Sequence, residues 1–240
     1  MKGRIYLACF ITSLLSGYAS TPEQPSHLSS QTDNSEQIHF HSQASQDEFV
    51  HTILYNLLNK QDQGYYLEIG AGDPIYINNS YILEKNLEWK GVSIDISEGL
   101  DTIWYNARKN PIRIEDAIRA DYTFILKDFP QVIDYLSLDV DGYYDTVLKK
   151  IPFDKHTFKI ITIEHDFYRY GDTFKNNERN ILTALGYYLL CPDVSQNGLA
   201  FEDWWIHPSA FSPDTLSTLL SLDLNAKDCK EILQIIHTAL

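Results

Sequence analysis

Acidic residues stand at the ends of four apolar runs, and one of them opens into a glycine turn. The first run is Tyr65-Tyr66-Leu67-Glu68-Ile69, followed by Gly70-Ala71-Gly72-Asp73. Asp95 closes the next run, 23 residues after Gly72. Asp139 and Asp141 close a third, and Glu164-His165-Asp166 a fourth. A Gly-x-Gly turn lets backbone come close to a ligand, and an acid at the next strand end can accept both hydroxyls of a ribose. That combination predicts a nucleoside-bearing cofactor. The dinucleotide fingerprint needs a third glycine three residues after Gly72, where Ile75 stands behind Pro74. No phosphate-loop lysine follows, so a site gripping phosphates is disfavoured.

To bring these acids together the chain must alternate strands and helices. Ser45-Gln46-Asp47-Glu48 has the form of a capping box ahead of Phe49, Ile53, Leu54, Leu57 and Leu58 at helical spacing. Helices are predicted over 80–86, 98–109, 122–127, 143–150 and 174–185. Strands are predicted at 65–69, 92–96, 112–114, 132–139 and 158–164. Near the end, 187–191 and 199–206 read as an antiparallel pair turning at Asn197-Gly198, and an apolar face from Ile232 to Leu240 marks a last helix. This order predicts an α/β three-layer sandwich with the acidic positions on its ligand-binding edge.

Tyr66-Leu67-Glu68-Ile69-Gly70-Ala71-Gly72-Asp73, Asn79-Ser80, Leu83-Glu84 and Trp89-x-Gly91-x-x-Ile94-Asp95 resemble S-adenosylmethionine-dependent methyltransferases of the FkbM type. Leu138-Asp139-Val140-Asp141-Gly142 is similar to that family's fourth-strand segment, and Ile163-Glu164-His165 to its fifth-strand end. The resemblance runs from about 45 to 208. It implies a Rossmann-like class I methyltransferase sheet, mostly parallel with a C-terminal antiparallel hairpin. It also implies O-methylation of a hydroxyl on a sugar or small metabolite, with S-adenosylmethionine as cofactor. By motif position Glu68, Gly70 and Gly72 would line the methionine part, Asp95 would hold the ribose, and Asp121 would reach the adenine. Gly72-Asp73-Pro74 departs from the family's commoner asparagine-containing loop.

Methyl transfer to oxygen needs a positioned hydroxyl and an acceptor for its proton. His165 is the expected base, since its ordinary pKa is near neutral, and Asp139 is the second catalytic candidate. The competing reading of His165 is a histidine packed at a strand end. Asp139, Asp141 and Glu164 are also a candidate set for Mg²⁺, a hard cation taking oxygen ligands; against it, Asp141-Gly142 simply makes a turn. Trp204, Trp205, Tyr168 and Tyr170 are candidates to wall the acceptor site or to fill the core.

The formal net charge of −14, with only Lys2 and Arg4 charged before residue 20, argues against nucleic acid and anionic membrane surfaces as partners. Cys191 and Cys229 read as two buried thiols. Residues 1–19 have the three-part form of a secretory signal or membrane-associated segment, and 20–44 read as a polar linker ahead of a methyltransferase domain over 45–240. The start of the chain thus points to export, while the cofactor points to the cytoplasm. The alternative function is therefore an exported binding or effector protein on this fold, without methylation activity.

Overall fold

The computed structural model describes residues 38–239. The signal-like segment and most of the linker lie outside them. Seven strands form one sheet: β1 (Tyr65–Ile69), β2 (Lys90–Asp95), β3 (Ile112–Ile114), β4 (Val132–Leu138), β5 (Thr157–Glu164), β6 (Tyr188–Gln196) and β7 (Leu199–Ile206). Their order is β3-β2-β1-β4-β5-β7-β6. The first five are mutually parallel, while β7 runs antiparallel to β5 and β6. This is the sheet that the resemblance implies. The helices are α1 (Gln46–His51), α2 (Tyr81–Lys85), α3 (Leu100–Trp104), α4 (Tyr122–Ile125), α5 (Tyr144–Leu148), α6 (Phe167–Tyr170), α7 (Asp172–Ala184), α8 (Pro213–Leu220) and α9 (Cys229–Ala239).

A parallel sheet is stable only when both faces are covered, and two apolar clusters cover this one. Phe49, Ile53, Leu54, Trp204, Ile232 and Ile236 pack on one face, from α1 and the π-helical turn after it, β7 and α9. Leu67, Ile69, Leu136, Val147, Leu182 and Trp205 pack on the other, with α5 and α7. Both tryptophans of β7 are thus core residues, one on each face. Cys191 and Cys229 are free and buried. The β6–β7 turn places Asn197 and Gly198 at φ 54° and 80°, the left-handed pair that a two-residue hairpin requires.

Three expectations need correction. The linker does not extend to residue 44: Ile38 and Phe40 pack on the first cluster and Ala44 is fully buried. Ser45 makes no capping box; it sits at φ 60° and its side chain caps nothing. The buried Asp47 carboxylate instead takes hydrogen bonds from the His41 amide, the Ser42 amide and the Ser42 hydroxyl, so the chain loops back before the helix starts. The element then continues as a π-helix over Thr52–Leu57. The third concerns 98–109, where the helix stops at Trp104 and the chain turns so that Arg108 enters the interior.

The sheet order changes direction between β1 and β4, since β2 and β3 lie to one side and β5 to the other. Such a switch point leaves a crevice beyond the strand ends. Gly70 makes it narrow. A Cβ there would lie 1.6 Å from the Asp139 carbonyl oxygen, and φ is +87°, whereas a Cβ on Gly72 (φ +58°) would meet nothing within 4 Å. Gly70→Ala is therefore expected to cost more than about 3 kcal/mol, from backbone strain plus collision with β4. Gly72→Ala should cost only about 1–2 kcal/mol, for the left-handed conformation alone. Urea denaturation of the two variants measures the difference, and equal losses would contradict it.

Candidate functional site

Asp95 ends β2 half-exposed. One of its carboxylate oxygens accepts from the Gly72 amide at 2.9 Å and the other from the Ser97 amide at 2.7 Å. Each oxygen keeps a free lone pair, so the group is oriented by backbone yet able to accept two hydroxyls. Gly72 beside it faces open space. The acid and the open turn fit the ribose of a nucleoside cofactor.

Glu68 is placed differently. It is buried, and its Oε2 accepts from the Ser80 hydroxyl at 2.9 Å and the Ser93 hydroxyl at 2.7 Å. Burial raises its pKa, and the nearby Arg108 works against that rise. Its visible work is to hold the chain at Ser80 against β2. Gly70 is spoken for by β4, as described above. Asp121 is exposed and caps α4 by accepting from the Phe124 amide. Asp116, two residues beyond β3, stands nearer a strand end and bonds the Ile118 amide. Asp116 is not among the candidates above, although its place after an apolar strand is a usable signal.

Arg108 was also missed. It is 2% exposed, and all five of its donors are used. Nε donates to Glu84 at 2.7 Å, Nη1 to the Pro74 carbonyl and Asn78 Oδ1, and Nη2 to the Tyr66 and Ser80 hydroxyls. Its guanidinium lies 4.6 Å from the Trp104 ring centre. Burial works to raise the Glu84 pKa, but the Lys109 amide and Arg108 more than offset this and hold it low. Asn78 completes the frame, donating to the Ala71 and Asp73 carbonyls. The loop after the glycine turn is thereby tied to α2, to β1 and to the chain after α3.

On the other side of the switch point, a cavity of about 250 Å³ opens beyond β4 and β5. Asp139, Asp141, Glu164 and Asp166 supply its acidic lining, and Tyr168 stands with them. Gln43 and, from the β6–β7 hairpin, Gln196, Leu199 and Phe201 complete the wall. The Asp139 and Glu164 carboxyls follow the paired residues Leu138 and Ile163 and line the cavity side by side. Burial, then the acids Asp166 and Asp141, pushes Asp139 up to about 6. Burial and the adjacent Asp139 raise Glu164 well above its usual range. Asp166 is buried and accepts from the Tyr144 hydroxyl at 2.7 Å.

His165 does not join this cavity. It is fully buried; its Nδ1 accepts from the Phe167 amide at 3.2 Å, while Nε2 lies 3.5 Å from Asp193 and 3.6 Å from Asp203. Burial lowers its pKa, though the two aspartates oppose this. Successive residues of an extended chain point to opposite sides, so Glu164 and His165 cannot both face the cavity. The expectation of His165 as base would place it there; the structure instead packs it away, where it shapes the turn carrying Asp166 and Tyr168.

The magnesium set Asp139, Asp141 and Glu164 is not brought into a close trio of ligand atoms. Asp141 pairs with Arg169 at 3.1 Å. Among the described residues, only His165, Asp193 and Asp203 bring three ligand atoms within 4.8 Å of one another. That trio suits a cation poorly. Lys175 and Arg179 already neutralise its aspartates. The amide bonded to Nδ1 also leaves the ring proton on Nε2, where a metal would need a lone pair.

Replacing Arg108 by methionine would strand Glu84, Asn78 and Ser80 in the interior. The expected loss is about 3–5 kcal/mol, the cost of breaking a buried ion pair from one side. Chemical denaturation would show it, and a loss below 1 kcal/mol would contradict the account.

The methyltransferase FkbM domain family matches residues 59–189, more than half of the chain. No curated protein sequence matches it. Among solved structures, a mutant of Spodoptera frugiperda DNMT2 is similar with a TM-score of 0.44 and 12% identity, over 63% of this chain and 52% of that one. This chain therefore spans about half the length of that relative. M. jannaschii TYW2 in complex with AdoMet gives 0.42 and 11%, over 73% and 80%. Magnesium protoporphyrin IX methyltransferase from Synechocystis PCC 6803, with bound SAM, gives 0.42 and 12%, over 68% and 78%. Likenesses this distant bear on neither substrate nor mechanism. The family match is closer to hand: it takes in the glycine turn, Asp95, the Asp139 segment and Glu164, and by it the chain belongs to the FkbM methyltransferase domain family.

Proposed function

We propose that the protein is an S-adenosylmethionine-dependent O-methyltransferase acting on a hydroxyl of a sugar or small metabolite. The observation that carries this reading is the carboxyl pair Asp139–Glu164, set in a cavity next to a nucleoside-fitting turn. Asp95 would accept the ribose hydroxyls, and the glycine turn would carry the methionine part past the Asp139 carbonyl. Asp121 or the neighbouring Asp116 would meet the adenine. The cofactor supplies a methyl group on a positively charged sulfur. The chain's own residues then have two tasks. The cavity walls hold the acceptor oxygen in line with the methyl carbon, and the carboxyl pair takes the proton that the oxygen loses. The oxygen–carbon bond forms as the carbon–sulfur bond breaks, and the bonding pair stays on sulfur as S-adenosylhomocysteine. No step requires a metal ion, and Asp139 replaces His165 as the proton acceptor.

Isothermal titration with S-adenosylmethionine tests the cofactor half. The full chain should bind it, and Asp95→Ala should weaken binding at least about tenfold, since a hydrogen bond to a charged group contributes roughly 1.5–3 kcal/mol. Absence of binding by the unaltered protein would sink the enzyme reading and favour a binding protein on the same fold.

The pH dependence tests the base. A raised carboxyl pKa means the pair keeps its second proton until about 6, and the doubly protonated pair cannot accept another. Turnover should therefore climb as pH rises through about 6 and then level off. Asp139→Asn should abolish that limb and lower kcat about 10²–10⁴-fold, with S-adenosylmethionine affinity little changed. A variant that kept both the rate and the pH limb would exclude Asp139 as base.

A further inference from the structure

We propose that the acceptor carries a protonated amine beside the hydroxyl that is methylated, as an amino sugar or amino alcohol does, and that Asp166 and Asp141 hold it. The inference rests on the reading of this cavity as the acceptor site and names the class of molecule it takes.

The sheet order separates two halves. The cofactor candidates lie at the ends of β1, β2 and β3, while the cavity lies beyond β4 and β5 and under the β6–β7 hairpin. Asp139 stands at the seam. Glu164 ends the next strand, β5, and Asp166 follows it ahead of α6; both are one strand further from the glycine turn, so they are placed for the acceptor rather than for the cofactor.

What the cavity offers is one-sided. Four carboxyl groups line it, and no lysine, arginine or histidine does. The nearest cation, Arg169, meets Asp141 from its exposed side, both side chains being more than half exposed. Asp166 is 3% exposed, is held at φ 45° and accepts from the Tyr144 hydroxyl on Oδ2. A buried carboxylate is stable only when cations or donors surround it. The chain brings only tyrosine hydroxyls to this one, from Tyr144 and from Tyr168 on α6, and no cation, so a positive charge in the cavity is what would complete it. Tyr168 beside it adds an aromatic face, which suits an ammonium group as well as a sugar ring.

A ligand bringing donors only, with a positive charge, satisfies this lining. A phosphate, uronate or other anion would meet like charge, with Arg169 outside the lining and already paired with Asp141, and would be disfavoured. The volume, below that of drug-sized pockets, fits one small ring. The amine is bound as ammonium, so it has no lone pair, and the neighbouring hydroxyl is left as the nucleophile facing Asp139 and Glu164.

The experiment uses the full chain and four ring-matched probes: glucosamine, N-acetylglucosamine, glucose and glucuronate. Each is titrated calorimetrically at a pH where the amine is protonated, with S-adenosylhomocysteine bound and again without it. Glucosamine should bind at least about tenfold tighter than glucose, the size of one charge-assisted hydrogen bond. N-acetylation should return the affinity to that of glucose, and glucuronate should be the weakest. Asp166→Asn keeps the side-chain shape and tolerates the left-handed backbone. It should remove the glucosamine advantage while S-adenosylhomocysteine still binds. Should that variant not fold, Asp141→Asn at the rim, which leaves Arg169 unpaired, should weaken glucosamine selectively. Glucosamine binding no tighter than glucose, glucuronate binding best, or no glucosamine binding at all would each overturn the proposal. Failure of S-adenosylhomocysteine to bind would count against the methyltransferase reading instead, because the series without it still reads the charge preference.

Discussion

The glycine turn keeps its shape because one guanidinium has no spare donor. Arg108 bonds a strand residue (Tyr66), a helix residue (Glu84) and three members of the intervening loop (Pro74, Asn78 and Ser80). A charge taken from water is tolerable only when every proton has a partner, so each bond here is a condition for the others. Ser80 passes the constraint on by donating to Glu68, which also receives Ser93 from β2. The E-x-G-x-G acid is thus one step behind the ligand surface. It builds the wall, and Asp95 and the open backbone at Gly72 form the part a cofactor would touch.

The same sheet that needs this frame also explains the acidity of the second half. β4 and β5 are parallel neighbours, with Leu138 opposite Ile163, so the next residues on each strand, Asp139 and Glu164, must lie side by side. Two carboxyls at that spacing, with little water and no basic residue lining the cavity, cannot both ionise readily. The raised pKa is a product of register. Any chain with acids at these two strand ends and a closing hairpin over them would inherit it.

Most of the architecture was legible because it is periodic. Apolar runs ending in acids gave the parallel strands, and Asn197-Gly198 gave the hairpin. What escaped was set by contacts distant in sequence. Nothing near Arg108 in the chain announces a buried cation, since its partners lie 24 to 42 residues away. His165 looked like a base because residue type was visible and side-chain direction was not; the alternation along β5 turned it toward Asp193 and Asp203. The Ser45 pattern matched a capping box, but Asp47 was already claimed by Ser42 and the fold around Ala44. Of the acids read from sequence, Asp139, Asp141, Glu164 and Asp166 line one cavity, while Asp95 lies apart at the end of β2. That division depended on the strand order.

The two walls of that cavity come from different parts of the chain. Its carboxyl groups lie within the residues shared with the family, whereas Gln43, Gln196, Leu199 and Phe201 lie outside them. Gln43 and Gln196 also touch, the Gln196 amide donating to the Gln43 carbonyl. Neither segment belongs to the parallel strands that carry the glycine turn and the Asp139–Glu164 pair. Substitutions there can reshape what the cavity admits while those strands stay intact. Its shape is therefore open to small steps in evolution, each tested by selection without first dismantling the fold.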